Sequence, residues 1–138
     1  LKLLQFYRID TAGKMMAIVG DGEVGRKLKV MIGNDQGLQV VLNNTCNDVG
    51  HWTKQADIVV SATGVADSIS GDMIREGAVV VGVGLAQVNG VMRSDVHVES
   101  VQERASKVTP IKGGLGPVTV AALLQNVFRA AAHQRNQK

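Results

Sequence analysis

One cysteine, Cys46, stands among 138 residues. That rules out an internal disulfide, zinc-finger spacing and a Cys-x-x-Cys redox pair, and favours a reducing compartment. Following a turn threonine, Cys46 itself reads as inert rather than nucleophilic. Rings are as scarce: Phe, Tyr and Trp make up 3% of the chain. The core must therefore be built from Val, Ile, Leu, Ala and Met. No uninterrupted apolar run approaches the roughly 18 residues of a spanning helix, and no basic-then-apolar leader opens the chain. A soluble, cytoplasmic chain without a membrane partner is expected. Neither sign of charge dominates, with 15 basic against 12 acidic residues. No basic stripe interleaved with aromatics appears, so nucleic acid is not an expected partner. His51, His97 and His133 are too scattered for a metal site or a triad and are expected to cap or face solvent. Ser61 has no base near it in sequence, which leaves a hydrolase reading unsupported.

What is present is a repeated pattern. Apolar runs at 15–19, 38–42, 58–61 and 78–83 each stop at turn residues, and 107–109 offers a fifth strand. Helical spacing appears between them: Val24, Leu28 and Ile32 within 24–33, then 49–53, a single turn at 72–75, and 98–105. Asn89-Gly90 reads as a turn. A long helix over 118–134 would place Pro117 at its first position, where the missing N–H costs nothing. Its Val120, Leu123, Leu124, Val127 and Phe128 are expected to pack inward, on the sheet or on a further domain. Residues 1–8 read as the end of a helix, with Leu1, Leu4 and Phe6 apolar. The absence of a cap there predicts that the sequence was cut from a longer one. Strands alternating with helices predict a single α/β domain over 1–138, a doubly wound parallel sheet with helices on both faces. In isolation the two terminal helices would leave apolar surface exposed, which predicts self-association.

The first strand runs into Gly20-Asp21-Gly22-Glu23-Val24-Gly25. In a dinucleotide cradle the first glycine permits a tight turn, the second lets backbone approach the pyrophosphate, and the third lets helix pack on strand. The same residues also suit a plain strand-to-helix turn. Asp21 and Glu23 meet the positive end of a helix dipole favourably. Each would nonetheless cost roughly 1–3 kcal/mol if it stood about 6 Å from a phosphate. Backbone N–H groups would then carry most of the affinity. About 20 residues on, where an acid grips a ribose or a base holds an extra phosphate, the chain has Asn43-Asn44-Thr45. Those amides suit ribose hydroxyls and a turn equally.

Four further stretches carry a resemblance: Ala-Asp-Ile-Val-Val-Ser-Ala-Thr-Gly (56–64), Glu-Gly-Ala-Val-Val-Val-Gly-Val-Gly (76–84), Arg-Ala-Ser-Lys-Val-Thr-Pro (104–110) and Gly-Gly-Leu-Gly-Pro-Val-Thr-Val-Ala (113–121). With Arg8-Ile9-Asp10-Thr11-Ala12-Gly13-Lys14, they resemble the C-terminal cofactor domain of the bifunctional methylenetetrahydrofolate dehydrogenase/methenyltetrahydrofolate cyclohydrolases. The resemblance implies a Rossmann-like fold that holds NADP or NAD against a folate, in a homodimeric one-carbon enzyme. It places the catalytic lysine and tyrosine in a separate N-terminal domain, so no catalytic residue is assigned here. It implies cofactor contacts at Gly20, Asp21, Gly22, Gly25, Asn43, Thr63, Gly64, Leu85 and Thr119. Gly113, Gly114, Gly116 and Pro117 would border the folate.

Several positions depart from the family pattern. The glycine loop is one residue shorter, Asp21 replaces a basic or small residue, and Lys27 and Lys112 replace prolines. Gly82 replaces an aspartate of the fourth strand, and Ala86 an asparagine. An acid at 21, with no base at 43 or 44, favours NAD over NADP. The rival expectation is a non-catalytic relative whose nucleotide site has decayed into a packing or interaction module.

Overall fold

A computed structural model describes residues 1–32, the backbone of 39–42, and residues 48–135. Asn43, Asn44 and Cys46 lie outside the described residues. The chain divides into two compact units: Asp10–Ile111, and Leu1–Ile9 together with Lys112–Lys138.

In the larger unit every expected apolar run becomes a strand. The chain forms β1 (Met16–Val19), β2 (Gln39–Leu42), β3 (Ile58–Ser61), β4 (Val79–Gly82), β5 (Leu85–Val88), β6 (Val91–Ser94) and β7 (Lys107–Val108). Five of these make one sheet in the order β2-β1-β3-β4-β7, with every pair parallel. All four residues of β1 and of β3 are buried. Because successive side chains point to opposite sides, the sheet is covered on both faces, as Val- and Ile-rich parallel strands require.

On one face Ala17, Val19, Val59 and Val80 join Ile69, Ile74, Val96 and Val101 in a single apolar cluster. Its cover comes from α3 (Val49–Thr53), a 3-10 turn at Gly71–Met73, and α4 (Val98–Gln102). Asp48 caps α3 by accepting from the His51 N–H at 3.1 Å. His97 caps α4, its Nδ1 accepting from Ser100 N at 3.3 Å, one of the two roles expected for the scattered histidines. The hydroxyl of buried Thr53 is within reach of Val49 O, at 3.1 Å, and of Met73 O in the 3-10 turn, so its polarity is satisfied and α3 is tied to that turn. The opposite face receives α2 (Glu23–Ile32), whose Gly25 lies over Ile18.

β5 and β6 form a separate antiparallel hairpin. Asn89 and Gly90 both have positive φ, at 52° and 80°, the geometry of a two-residue type I′ turn. The turn was expected from the sequence but the strands were not. Leu-Ala-Gln-Val and Val-Met-Arg-Ser alternate too weakly to declare a buried face.

The smaller unit holds α1 (Lys2–Phe6) and α5 (Leu115–Arg135). Lys2 Nζ donates to Gln125 Oε1 between the two helices. Helix α5 begins two residues earlier than expected, which makes Pro117 its third residue rather than its first. Pro117 remains in the first turn, where N–H groups have no helical partner to lose. Leu4 is buried, whereas Phe6 is exposed. Val120, Leu123, Leu124, Val127 and Phe128 are 59–76% exposed, the apolar surface expected on this helix where no further domain covers it. Apolar residues surround this helix, and no polar stripe selects which side should face inward. By length and composition, with a mean hydropathy of 1.2, α5 is long and apolar enough to cross a membrane. Gln125, Asn126 and Arg129 near its middle would then have to enter hydrocarbon, at a cost of several kcal/mol.

Candidate functional site

In an open parallel sheet, ligands settle outside the carboxyl ends of the strands, where the strand order reverses. Here the chain passes from β1 outward to β2 and then returns to β3 on the other side of β1. The switch point therefore lies between Gly20, which follows β1, and Ala62–Gly64, which follow β3.

The three loop glycines are there for different reasons. Gly20 has φ +110°, and a Cβ on it would collide with the Ala62 carbonyl. Only glycine lets these two turns come so close. A Cβ on Gly25 would strike the Gly20 carbonyl oxygen, so Gly25 sets the closeness of helix to strand. Around Gly22 the situation is reversed: a Cβ there meets nothing within 4 Å, and the residue is exposed. Nothing inside the fold requires glycine at that position. The space in front of it suits a ligand that must approach main chain.

Charge at the loop is balanced by neighbours on α2. Asp21 accepts from Arg26 Nε at 3.1 Å and Nη2 at 3.0 Å. Glu23 is paired one helical turn on with Lys27. Both pairs are largely exposed and contribute little stability. They do cancel much of the repulsion that two bare carboxylates would present to an anion.

Across the switch point, Thr63 and Gly64 follow β3, and Gly64 turns with φ +70° in open space. Leu85 begins the hairpin next to the end of β4, its side chain half exposed. These loops are joined by a residue that sequence reasoning did not single out. Asp95 is fully buried. Its Oδ2 accepts from Ser61 Oγ at 2.7 Å, Thr63 N at 3.0 Å and Gly84 N at 3.2 Å. Burial pushes its carboxyl above the ordinary aspartate range, and those donors draw it back only in part. The available signal was an acid two residues before a helix cap, between two valine-containing runs, which by itself resembles any turn aspartate.

The other expected site residues divide between the two units. Gly20, Asp21, Gly22, Gly25, Thr63, Gly64 and Leu85 belong to the larger unit and stand at the carboxyl ends of β1, β3 and β4. Gly113, Gly114, Gly116, Pro117 and Thr119 belong to the smaller unit, at and before the first turn of α5. Gly113 has φ +74°, and Thr119 donates its hydroxyl to Leu115 O at 2.8 Å. Asn43 is outside the described residues. Among the described residues no three His, Cys, Asp or Glu side chains converge as a metal site.

The model of the tetrahydrofolate dehydrogenase/cyclohydrolase NAD(P)-binding domain matches residues 1–135, across both units. The bifunctional protein FolD of Aquifex aeolicus is 47% identical over 129 residues, which are 93% of this chain and 44% of that protein. The FolD protein of Fusobacterium nucleatum is 41% identical over 131 residues, 94% of this chain and 46% of the relative. Among solved structures, the bifunctional FolD enzyme of Campylobacter jejuni superposes with a TM-score of 0.91 at 36% identity, covering 96% of this chain and 48% of that one. The Trypanosoma brucei dehydrogenase-cyclohydrolase, solved with NADP and an inhibitor, gives a TM-score of 0.85 at 31% identity, covering 92% and 46%. The chain thus spans a little under half the length of these relatives. With its fold and nearly all its residues accounted for in this way, it belongs to the tetrahydrofolate dehydrogenase/cyclohydrolase NAD(P)-binding domain family.

Proposed function

We propose that residues 1–138 act as one dinucleotide-binding domain of a methylenetetrahydrofolate dehydrogenase/methenyltetrahydrofolate cyclohydrolase. Gly20, Asp21, Gly22 and Gly25 hold the pyrophosphate and Asn43 lies by the adenosine ribose. Thr63, Gly64 and Leu85 receive the nicotinamide end, and Thr119 is a further cofactor contact. Gly113, Gly114, Gly116 and Pro117 border the folate. The residues that carry out the folate chemistry lie in the other half of the complete enzyme, so this chain alone binds cofactor without turning over folate. The complete enzyme is a cytoplasmic homodimer.

One observation carries this reading: Gly22 is a glycine with empty space where its side chain would be. A decayed site would have no reason to keep that space free, and the Asp21–Arg26 pairing supports a loop still able to receive an anion. Asp21 nevertheless leaves the loop without surplus positive charge, so NAD is held more tightly than NADP.

Calorimetric titration of the 138-residue chain with NAD and NADP, beside Gly22→Val, tests these statements. The substitution should leave the urea midpoint in place and weaken binding by about tenfold or more, since the new side chain occupies the anion's approach. Equal affinity in both proteins, or none in the unaltered chain, would reject the site. Tighter binding of NADP would reject the cofactor preference alone.

A further inference from the structure

Asp95 has no part in the glycine loop, yet it is the buried acid nearest to the switch point by hydrogen bonding. The parallel register explains how it fits. Val19, Ser61 and Gly82 are partners across β1, β3 and β4 and share the face that carries the main apolar cluster. Along that row the side chains shrink from valine to serine to none. A Cβ on Gly82 would stand 2.8 Å from Ser94 Oγ and 3.4 Å from Asp95 Oδ1. A Cβ on Gly84 would collide with Asp95 Oδ2 and stand 2.8 Å from Gly64 N. The carboxyl end of β4 is thus cleared of side chains where the carboxylate enters.

The carboxylate is itself fixed from behind. The Asp95 carbonyl accepts from Ile69 N at 3.0 Å and Ser68 Oγ at 3.1 Å. Ser68 Oγ lies 2.8 Å from Thr63 Oγ1, so the turn after β3 is tied to the segment that follows β6 by side chain and main chain. Burying a carboxylate this deeply is costly unless its oxygens are matched by donors. A hydrophobic residue would fill the same volume at lower cost, but it could not join the β3 and β4 turns.

We infer that Asp95 is a positioning residue for the nicotinamide end of the dinucleotide. By accepting from Thr63 N and Gly84 N with one oxygen, it sets the separation of the two turns that present Gly64 and Leu85 to that ring. It touches neither cofactor nor substrate. The adenosine and pyrophosphate end, held by the glycine loop, is independent of it. The inference rests on the dinucleotide reading above and assigns a division of labour within that site.

The test compares NADH, which has both ends, with ADP-ribose, which lacks the nicotinamide. Asp95→Ala removes the shared acceptor. Asp95→Asn keeps one carbonyl oxygen for Ser61, Thr63 and Gly84 and turns its amide toward Ser94 Oγ. Ser61→Ala is milder and serves if Asp95→Ala does not fold. Asp95→Ala should bind NADH about tenfold more weakly and lose the rise in nicotinamide emission on binding, with ADP-ribose affinity changed by less than about twofold. Asp95→Asn should restore both NADH readouts to within about threefold, and Ser61→Ala should fall between. Unchanged NADH binding and emission in folded Asp95→Ala or Ser61→Ala would overturn the inference. So would an equal loss of NADH and ADP-ribose affinity in a variant with a native melt. If the unaltered chain bound neither probe, the dinucleotide reading itself would fall, and this inference with it. If it bound ADP-ribose but showed no change in NADH emission, the nicotinamide assignment alone would fall.

Discussion

The two units use similar residues to opposite ends. In Asp10–Ile111, Val, Ile and Ala fill strands that are buried on both faces. In the helical unit, Val120, Leu123, Leu124, Val127 and Phe128 are exposed. Apolar character alone therefore does not specify burial; a side chain is buried only where the chain supplies a partner layer. The sheet unit supplies its own layers through the helices and the 3-10 turn that connect its parallel strands. The helical unit offers an apolar surface of the kind that marks an interaction face.

Truncating one side chain in each unit should separate them most sharply. Ile74→Ala removes a side chain only 1% exposed at the centre of the cluster and should cost about 3 kcal/mol, including the cavity it leaves. Leu124→Ala removes a side chain 66% exposed and should change stability by less than about 0.5 kcal/mol. Urea unfolding of both variants provides the measure. A large loss from Leu124→Ala would mean that α5 already has its partner within the chain, and the contrast would collapse.

What the sequence made legible follows the same division. Four strands of the large sheet were readable because each lies in an apolar run ended by glycine or polar residues, and Ile58–Ser61 was bounded correctly on that basis. The three glycines were readable as a loop between β1 and α2, but their separate tasks were not. Spacing is the same whether a glycine is needed to avoid Ala62 or to leave room for a ligand. Asp95 was invisible because no periodicity marks a buried acid. Its donors come from Ser61, Thr63 and Gly84, positions adjacent only after the parallel strands β3 and β4 have been placed in register. The cover of α5 was not legible, because an apolar pattern states what should be covered without naming the cover.

A smaller effect refines the comparison at the edge of the sheet unit, where its core gives way to a polar knot. The Asp95 carboxyl is raised in the folded chain by burial, so the folded state holds its proton more tightly than the unfolded one. Its contribution to stability is fully present below the ordinary aspartate value and is lost as pH rises through the raised folded value. Asp95→Asn has no such proton. The stability of the unaltered chain minus that of Asp95→Asn should therefore decline as pH rises across this window and level off above it. Urea midpoints for both proteins at a series of acidic to neutral pH values measure the difference. A difference that rose with pH would mean that the donors outweigh burial and hold the carboxylate ionised.

The least change is expected at Glu23, where structure and function make opposite demands on one charge. Glu23 lies in the first turn of α2, facing the positive end of the helix, and pairs with Lys27. Its side chain is 78% exposed, so Glu23→Gln should destabilise the chain by no more than about 0.5 kcal/mol. The same substitution removes a negative charge beside the space in front of Gly22. It should therefore tighten dinucleotide binding slightly at low salt, by about twofold, and the gain should fade as added salt screens exposed charges. Titrations at two ionic strengths, paired with urea melts, separate the two demands. Weaker binding in Glu23→Gln would show that this acid assists the loop, through Lys27 or the helix start, rather than opposing its ligand.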